Sequence, residues 1–260
     1  FFLDFADAAD LGDDESGNGN DFVESGIAAA NQATDTPTNN FATLNSIEED
    51  TGKTFTIGNC KQFLTGVSSF TRSTIGAASG KWYCEVKLIA GIRAMYGISS
   101  YGSSENSGAN YLGAVGSTAV GYSYGVIGNT GRLYHAGSST ASWVSTFGHG
   151  DIIMLAMDLD NNKLYFGKNG TWERSGDPTS GATGTGAYTI VAPSLNGNGF
   201  YQFAFGCNST GEDNNSEMNF GNPAFTVSSG NADGDGYGNF EYAVPSDYFA
   251  LCTKNLATYG

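Results

Sequence analysis

The sequence has few of the residues on which nucleophilic and metal-dependent enzymes rely. Its 260 residues include only two histidines, His135 and His149, and no Gly-x-Ser-x-Gly elbow, so a Ser-His-Asp triad is not expected. The four cysteines show no Cys-x-x-Cys spacing, which argues against zinc and redox sites. They are Cys60, Cys84, Cys207 and Cys252. We expect free thiols, because a chain with this much core does not require disulfides.

Cationic residues are also scarce. The chain has 11 Lys and Arg against 26 Asp and Glu, which gives a formal net charge of −15. Binding to nucleic acid requires clustered cations that displace counterions from phosphates, so neither nucleic acid nor an anionic membrane is an expected partner. No apolar run approaches the roughly 18 residues of a membrane-spanning helix, so membrane insertion is not expected.

Glycine and aromatic residues, in contrast, are plentiful, with 38 Gly, 17 Phe and 14 Tyr. This composition favours strands and turns over helices, and no segment carries a sustained helical period. The sequence therefore predicts an all-β fold. Because β-sandwiches of about 200–250 residues can form one domain, we expect residues 1–260 to make a single domain.

A hairpin is predicted near the middle of the chain. Residues 152–157 are apolar without a break, which is typical of a strand covered on both faces. The turn formers of residues 160–162 separate it from a partner strand at residues 164–166. Asn169-Gly170 then predicts a second tight turn, because both residues accept positive φ.

Two further strands are predicted from alternation. Residues 82–88 place Trp82 and the next apolar residues on one face, and Glu85 with Lys87 on the other, which predicts a half-buried strand with a solvated ion pair. Residues 1–5 alternate in the same way and predict an opening strand.

Paired carboxylates are the one feature that could indicate an enzyme. Asp158 and Asp160 are two residues apart and share a side of a strand, and glycosidases act with two acids. Their place beside the turn at residues 160–162 favours a turn-stabilising role. The chain is therefore predicted not to be an enzyme, and a glycan-degrading enzyme is kept as an alternative.

Four landmarks in order carry a family resemblance: residues 80–86, residues 122–123, the hairpin over residues 150–170, and residues 218–221. Together they resemble the successive strands of a SPRY domain, with a core over residues 76–225. The resemblance implies a two-sheet antiparallel β-sandwich, a SPRY or concanavalin-like jelly roll with little helix. The N- and C-terminal flanks are expected to complete this sandwich.

Residues 35–45 and 240–256 resemble the flanks of SPRY-containing tail-fibre and virion-appendage proteins of bacteriophages. This resemblance implies a non-enzymatic module of the virion that belongs to a longer polypeptide. The implied partners are a host cell-surface glycan or protein, other virion proteins, and further copies of the chain in a homo-oligomer such as a trimer. Two alternatives stay open: a structural decoration or spacer domain that contacts other virion proteins, and a concanavalin-like glycan-degrading enzyme.

Aromatic side chains on Gly- and Ser-rich loops predict the binding surface. An aromatic ring stacks on sugar C–H groups or fills a protein pocket, and a tyrosine hydroxyl can stay solvated while it does so. The predicted ligand-binding residues are Tyr101, Tyr111, Tyr122, Tyr124, Tyr134 and Trp143.

The segment of residues 231–239 is a candidate calcium loop. The predicted ligands are Asn231, Asp233, Asp235 and Asn239. Their spacing resembles the calcium loop of an EF-hand. The segment departs from that loop because Tyr242 stands where a bidentate Glu is required and no helices flank it. A flexible Asx-Gly turn explains the same residues, so calcium is one of two alternatives, and no other cofactor is expected.

Overall fold

The protein is described from a computed structural model over residues 1–5, 7, 9–27, 35–36, 38–47, 52–100, 111–114, 116–117 and 121–260. Within these residues the chain forms two antiparallel sheets that pack face to face. The predicted all-β sandwich is therefore confirmed. No helix in the described residues is both long and apolar enough to cross a membrane.

Sheet I has nine strands in the described part of the chain, in the order β1-β2-β15-β4-β10-β11-β12, with β13 beside β11 and β16 parallel to β4. The strands, numbered in chain order, are β1 (Lys53–Thr56), β2 (Lys61–Leu64), β4 (Lys81–Ala90), β10 (Ile152–Asp158), β11 (Lys163–Lys168), β12 (Thr171–Trp172), β13 (Tyr188–Thr189), β15 (Asn214–Asn219) and β16 (Phe249–Ala250).

Sheet II has seven strands over the same described ranges, in the order β3-β14-β5-β7-β8-β9, with β6 beside β7. These strands are β3 (Ser69–Arg72), β5 (Ala94–Ser99), β6 (Gly116–Ser117), β7 (Gly121–Ile127), β8 (Leu133–His135), β9 (Ser138–Thr140) and β14 (Gln202–Cys207). Short 3-10 helices lie at Glu173–Ser175, Pro178–Thr183 and Pro193–Leu195, and one α-helix, α1, spans Thr253–Tyr259.

The predicted hairpin lies at the centre of sheet I. Strand β10 is buried along its whole length and pairs with β4 on one side and β11 on the other. Leu155, for example, lies between Cys84 and Phe166 in the register. Asn169 and Gly170 have φ values of 49° and 82°, so the predicted turn with two positive φ angles is confirmed.

The main core fills the space between the two sheets. Trp82, Cys84, Val86 and Leu88 point into it from β4, as the alternation predicts. Sheet II contributes Tyr96, Tyr124, Phe203 and Phe205, and Tyr201 adds another large ring from the residue before β14. Rings of this size bury the large apolar areas that dominate the stability of a domain.

A second apolar cluster covers the outer face of sheet I. It joins Tyr83 of β4, Met154 and Ala156 of β10, and Tyr165 of β11 to residues from both flanks of the chain. The flank residues are Phe41, Phe240, Tyr248, Ala250 and Cys252. Strand β4 is therefore buried on both faces, and the prediction of a half-buried strand with a solvated side is wrong at Tyr83 and Glu85.

The first residues differ from the prediction in another way. No strand forms at residues 1–5, and Phe5 has a φ of 56°, which no extended strand allows. The ring of Phe1 instead meets Phe22 edge to face, with ring centroids 4.9 Å apart. The predicted opening strand is therefore wrong.

All four cysteines are free and buried, which confirms the prediction of free thiols.

Candidate binding surface

An aromatic stack lies where β7 and β8 run beside each other in sheet II. The ring of His135 stacks between two tyrosines of β7, at 5.7 Å from Tyr122 and 4.1 Å from Tyr124 between ring centroids. The two tyrosines share a face because they are two residues apart on one strand. His135 joins them because it lies opposite Tyr124 in the antiparallel register.

A loop tryptophan extends the stack toward solvent. Trp143 meets Tyr188 edge to face at 5.1 Å, and Tyr188 contacts His135 at 6.4 Å. The guanidinium carbon of the exposed Arg174 lies 4.1 Å from the centre of the Trp143 ring, which is a cation–π contact. We call the group of Tyr122, His135, Trp143, Arg174 and Tyr188 the aromatic edge.

The backbone at Arg174 is strained. Arg174 has a φ of 59° and a ψ of 32°, and Ser175 follows with a φ of 51°. Left-handed backbone is costly for residues that carry a β-carbon, and such strain is concentrated at functional sites. The loop thus holds the Arg174 guanidinium over the Trp143 ring at a conformational cost.

His135 is a neutral member of the aromatic edge. Burial lowers its pKa below the usual range. Its Nδ1 donates a hydrogen bond to the carbonyl oxygen of Ser123 at 3.1 Å, and a carbonyl can only accept, so Nδ1 carries the proton. Nε2 is then an acceptor. The aromatic edge therefore combines uncharged rings with one guanidinium.

Tyr124 does not belong to the exposed surface. Its side chain is 1% exposed, and its hydroxyl accepts a hydrogen bond from the Val191 N–H at 2.9 Å. Burial raises its pKa. The expectation that this residue is exposed on a loop is wrong, because β7 turns it into the core. It supports the aromatic edge from beneath, by stacking on His135.

The remaining predicted tyrosines are elsewhere. Tyr111 and Tyr134 contact each other edge to face at 5.3 Å, and both pack against a small cluster around Leu112 and Ile127 on the outer face of sheet II. Tyr134 precedes His135 on β8 and so points to the opposite face. Tyr101 lies outside the described residues. Of the six predicted aromatic residues, the structure thus places Tyr122 and Trp143 in the aromatic edge.

Arg174, His135 and Tyr188 complete the aromatic edge, and sequence reasoning missed their role. His135 had one signal, because it directly follows a predicted tyrosine. Tyr188 and Arg174 had none, since β13 and the 3-10 helix that carry them approach β8 only in the folded chain.

The candidate calcium loop is closed by its own hydrogen bonds. Asp233 is 7% exposed. Its Oδ1 accepts the N–H groups of Asp235 at 3.0 Å and Tyr237 at 2.9 Å, and its Oδ2 accepts the N–H of Ala250 and the side-chain amide of Asn255 at 2.9 and 2.8 Å.

The other predicted ligands of this loop do not converge with Asp233. Asn231 donates its side-chain amide to the carbonyl oxygens of Phe240 and Glu241. Asp235 accepts the Tyr259 hydroxyl, and Asn239 lines a separate pocket. Among the described residues, no three His, Cys, Asp or Glu side chains lie together as metal ligands. The arrangement favours a structural turn, and calcium binding stays a prediction.

The carboxylates considered for catalysis have structural partners. Asp158 accepts the backbone and side-chain N–H groups of Asn161, both at 2.9 Å, as the predicted turn role requires. Asp160 instead accepts the Gly80 N–H at 2.8 Å and so ties the turn to the residue before β4. Glu85 is fully buried, where the sequence predicted a solvated pair with Lys87. Burial raises the pKa of Glu85, while four hydrogen bonds oppose that shift.

No protein-family model and no curated protein matches this chain. Among solved structures, the PSpry domain of TRIM65 is similar, with a TM-score of 0.50, 12% identity, and coverage of 69% of this chain and 92% of that one. The SPRY domain of human HERC1 has a TM-score of 0.44 and 14% identity, with coverage of 71% of this chain and 95% of that one. Stonustoxin has a TM-score of 0.47 and 15% identity, with coverage of 68% of this chain and 27% of the stonustoxin chain. At 12% identity the likeness to the PSpry domain of TRIM65 concerns fold, and with the two antiparallel sheets it establishes that this chain has a SPRY-type β-sandwich fold.

Proposed function

We propose that the chain is a non-enzymatic binding module that recognises a protein through the aromatic edge. The observation that carries the proposal is the contact of the exposed Arg174 with the half-buried Trp143. Trp, Tyr and Arg are the residues that dominate binding energy at protein interfaces. A SPRY-type sandwich typically serves as a protein-binding module, which agrees with this proposal.

The geometry of the aromatic edge suits a protein surface. Its rings are already packed against each other, so little side-chain entropy is lost when a partner docks. Arg174 supplies hydrogen-bond donors in a fixed plane, which match a carboxylate or backbone carbonyls of a partner. A neutral His135 leaves an acceptor nitrogen beside these groups. The surface thus combines rigid apolar area with a few directed polar atoms.

The proposed setting is a bacteriophage virion. The resemblance of residues 35–45 and 240–256 to virion-appendage proteins supports a tail-fibre or similar appendage that acts as a homo-oligomer, with a host cell-surface protein as partner and a host glycan as the alternative partner. Oligomers multiply weak single-site affinity, which would suit an appendage.

A second candidate function is a structural spacer that docks on other virion proteins. Large apolar side chains are exposed in the first 27 residues, among them Phe1 at 76% and Val23 at 97%. Exposed apolar groups of this kind mark protein contacts. A host-binding module should lose cell binding when the aromatic edge is changed, whereas a spacer should not bind the host cell at all.

Labelling of intact bacteria tests the proposal. The biotinylated protein is incubated with a panel of strains, and bound protein is measured by flow cytometry on untreated, protease-treated and periodate-treated cells. We expect labelling that protease removes and periodate leaves. Trp143→Ala and Arg174→Ala should each weaken labelling by about tenfold. The matched control is Trp172→Ala, since Trp172 is also half-buried and also meets a tyrosine, Tyr83, edge to face.

The other outcomes are equally informative. Loss of labelling after periodate instead of protease would identify a glycan as the partner. Equal effects of Trp143→Ala and Trp172→Ala, in variants with unchanged circular dichroism, would contradict a role for the aromatic edge. Absence of labelling on every strain would contradict the host-binding proposal and favour the spacer.

A further inference from the structure

A pocket of about 460 Å³ opens on the outer layer that covers sheet I and shares no described lining residue with the aromatic edge. Its size falls in the range of small-molecule sites. Nine of its ten described lining residues come from the flanks outside residues 76–225, so the SPRY-type core alone does not build it. The lining residues are Thr36, Thr38, Asn39, Phe41, Gly221, Gly236, Tyr237, Gly238, Asn239 and Lys254.

The N-terminal wall of the pocket is held firmly. Thr36 and Asn39 exchange two backbone hydrogen bonds, at 2.9 and 3.1 Å. The buried Asn39 then accepts the N–H of Lys254 through its side-chain oxygen at 3.2 Å. The first turn of α1 is thereby tied to the N-terminal wall, which fixes the position from which the Lys254 side chain starts.

The C-terminal wall is held by two other contacts. The Asn239 N–H donates to the carbonyl oxygen of Gly221 at 3.0 Å, and the Asp233 carboxylate accepts the N–H of Tyr237. Gly238, with a φ of 90°, lies against Gly221, and a β-carbon at Gly238 would be 2.5 Å from the Phe240 ring. Glycine lets the two backbones approach, so the pocket is formed before any ligand arrives.

The polar groups of the pocket match a small anion that also carries hydroxyl groups. Among the described residues that line it, Lys254 is the only charged one, and its ammonium lies 5.7 Å from the centre of the Tyr237 ring. Among the described residues, the Gly238 N–H and the Asn239 side-chain amide have no hydrogen-bond partner. The Thr38 hydroxyl adds a group that donates and accepts, and Phe41 supplies an apolar surface.

We propose that this pocket binds an acidic saccharide, a hexuronate unit. Its carboxylate pairs with the Lys254 ammonium, and a C–H face of the sugar ring lies on Tyr237. The ring hydroxyls bond to the Gly238 N–H, the Asn239 amide and Thr38. A saccharide fits better than a peptide, because a pocket with several separate donors and acceptors suits a compact polyhydroxylated ring, whereas an extended peptide pairs with a strand edge.

The site goes beyond the proposed function, because it uses neither Trp143 nor Arg174. Calorimetric and NMR titrations of the intact chain with glucuronate and galacturonate test it, with glucose, acetate and a short Glu-containing peptide as comparison ligands. We expect the uronates to bind and to shift the amide signals of Gly238 and Asn239. Glucose and acetate should each bind about tenfold more weakly or not at all, since each offers only half of the contacts.

Four variants, two within the pocket and two outside it, complete the test. Lys254→Met and Asn239→Ala should each weaken uronate binding by about tenfold. Lys87→Met is the matched control, because the Lys87 ammonium also lies 5.7 Å from an aromatic ring, that of Phe225, outside the pocket. It should leave uronate binding unchanged, as should Trp143→Ala.

Four results would overturn the proposal: no uronate binding, equal binding of glucose, an equal effect of Lys87→Met and Lys254→Met, or a Glu-containing peptide that binds as tightly as the uronates. The two tests are independent. Uronate binding would stand if the aromatic edge failed to bind host cells, and host-cell binding would stand if the pocket failed to bind uronates.

Discussion

The backbone N–H of Tyr242 donates a hydrogen bond of 2.8 Å to the carboxylate of Glu85, across 157 positions of the chain. The N–H of Glu241 donates to the second oxygen of the same carboxylate at 2.9 Å. One buried side chain of β4 thus fastens the C-terminal flank to sheet I. This flank contributes to the outer layer over sheet I and to one wall of the pocket that Lys254 lines. Glu85 therefore connects the SPRY-type core to the C-terminal flank.

Substitution of Glu85 by Gln should destabilise the protein. The carboxylate also accepts the Tyr83 hydroxyl at 2.9 Å and the Asn219 amide at 3.1 Å, so both oxygens face donors. Gln replaces one oxygen by an amino group, which would meet these donors without accepting from them. We expect the free energy of unfolding in urea at neutral pH to fall by about 1–3 kcal/mol.

Glu217→Gln is the control for this measurement. Glu217 lies on β15 beside β4 and pairs with Lys61 at 2.7 Å, where both side chains are partly exposed. A partly exposed ion pair contributes about 1 kcal/mol or less. An equal loss in the two variants would contradict the special role of the Glu85 carboxylate.

Glu85 should also make the stability of the protein depend on pH. Burial raises its pKa above the ordinary value of 4.5, so the folded chain keeps this proton to a higher pH than the unfolded chain does. Its contribution to stability is then fully present below pH 4.5 and is lost as the pH rises through the folded-state pKa. The hydroxyls of Tyr83 and Tyr242 do not titrate in this window, because burial raises their pKa above 10.

Urea unfolding of the wild type and of Glu85→Gln at a series of pH values from 4 upward measures this effect. The difference in stability between the two proteins should narrow as the pH rises, since only the wild type has the titrating group. Taking the difference between the two free energies of unfolding cancels the contributions of the other carboxylates, which both proteins share. Parallel profiles would show that the pKa of Glu85 is not raised.

The features that were predictable from the sequence are local. The apolar run of residues 152–157 requires cover on both faces, and the turn formers of residues 160–162 follow it, so the β10–β11 hairpin follows from adjacent residues. Asn169-Gly170 likewise allows the tight turn between β11 and β12 at low cost. The same holds for the inward side chains of β4, because period-two alternation needs no knowledge of the partner strand.

The burial of Glu85 was not predictable, because its covering segment joins it from the far end of the chain. An isolated acid opposite an apolar face has the same sequence pattern whether solvent or a flank of the chain covers it.

The aromatic edge was only partly predictable, because some of its members are brought together by tertiary contacts. Trp143 and Tyr122 stand out as loop and strand aromatics, whereas Arg174 and Tyr188 reach the surface only through tertiary contacts. The pocket has no local signal at all, since Thr38, Tyr237 and Lys254 meet only in the folded chain.

The remaining prediction separates a structural turn from a calcium site at Asp233. Both oxygens of this buried carboxylate accept hydrogen bonds from N–H groups. Asp233→Asn places an amino group against such donors, and we expect the free energy of unfolding to fall by about 2–3 kcal/mol. Asp235→Asn is the matched control, because Asp235 is exposed and its amide oxygen can still accept the Tyr259 hydroxyl. It should cost less than about 0.5 kcal/mol.

Calcium adds the second arm of this experiment. If the loop is held by hydrogen bonds alone, the midpoint of thermal unfolding should be the same in EDTA and in millimolar calcium for the wild type and for both variants. A bound ion would instead stabilise the folded state in proportion to the logarithm of its concentration. A rise of the wild-type midpoint with calcium that both Asp233→Asn and Asp235→Asn abolish would establish the metal site, because only a shared ion makes the exposed Asp235 as important as the buried Asp233.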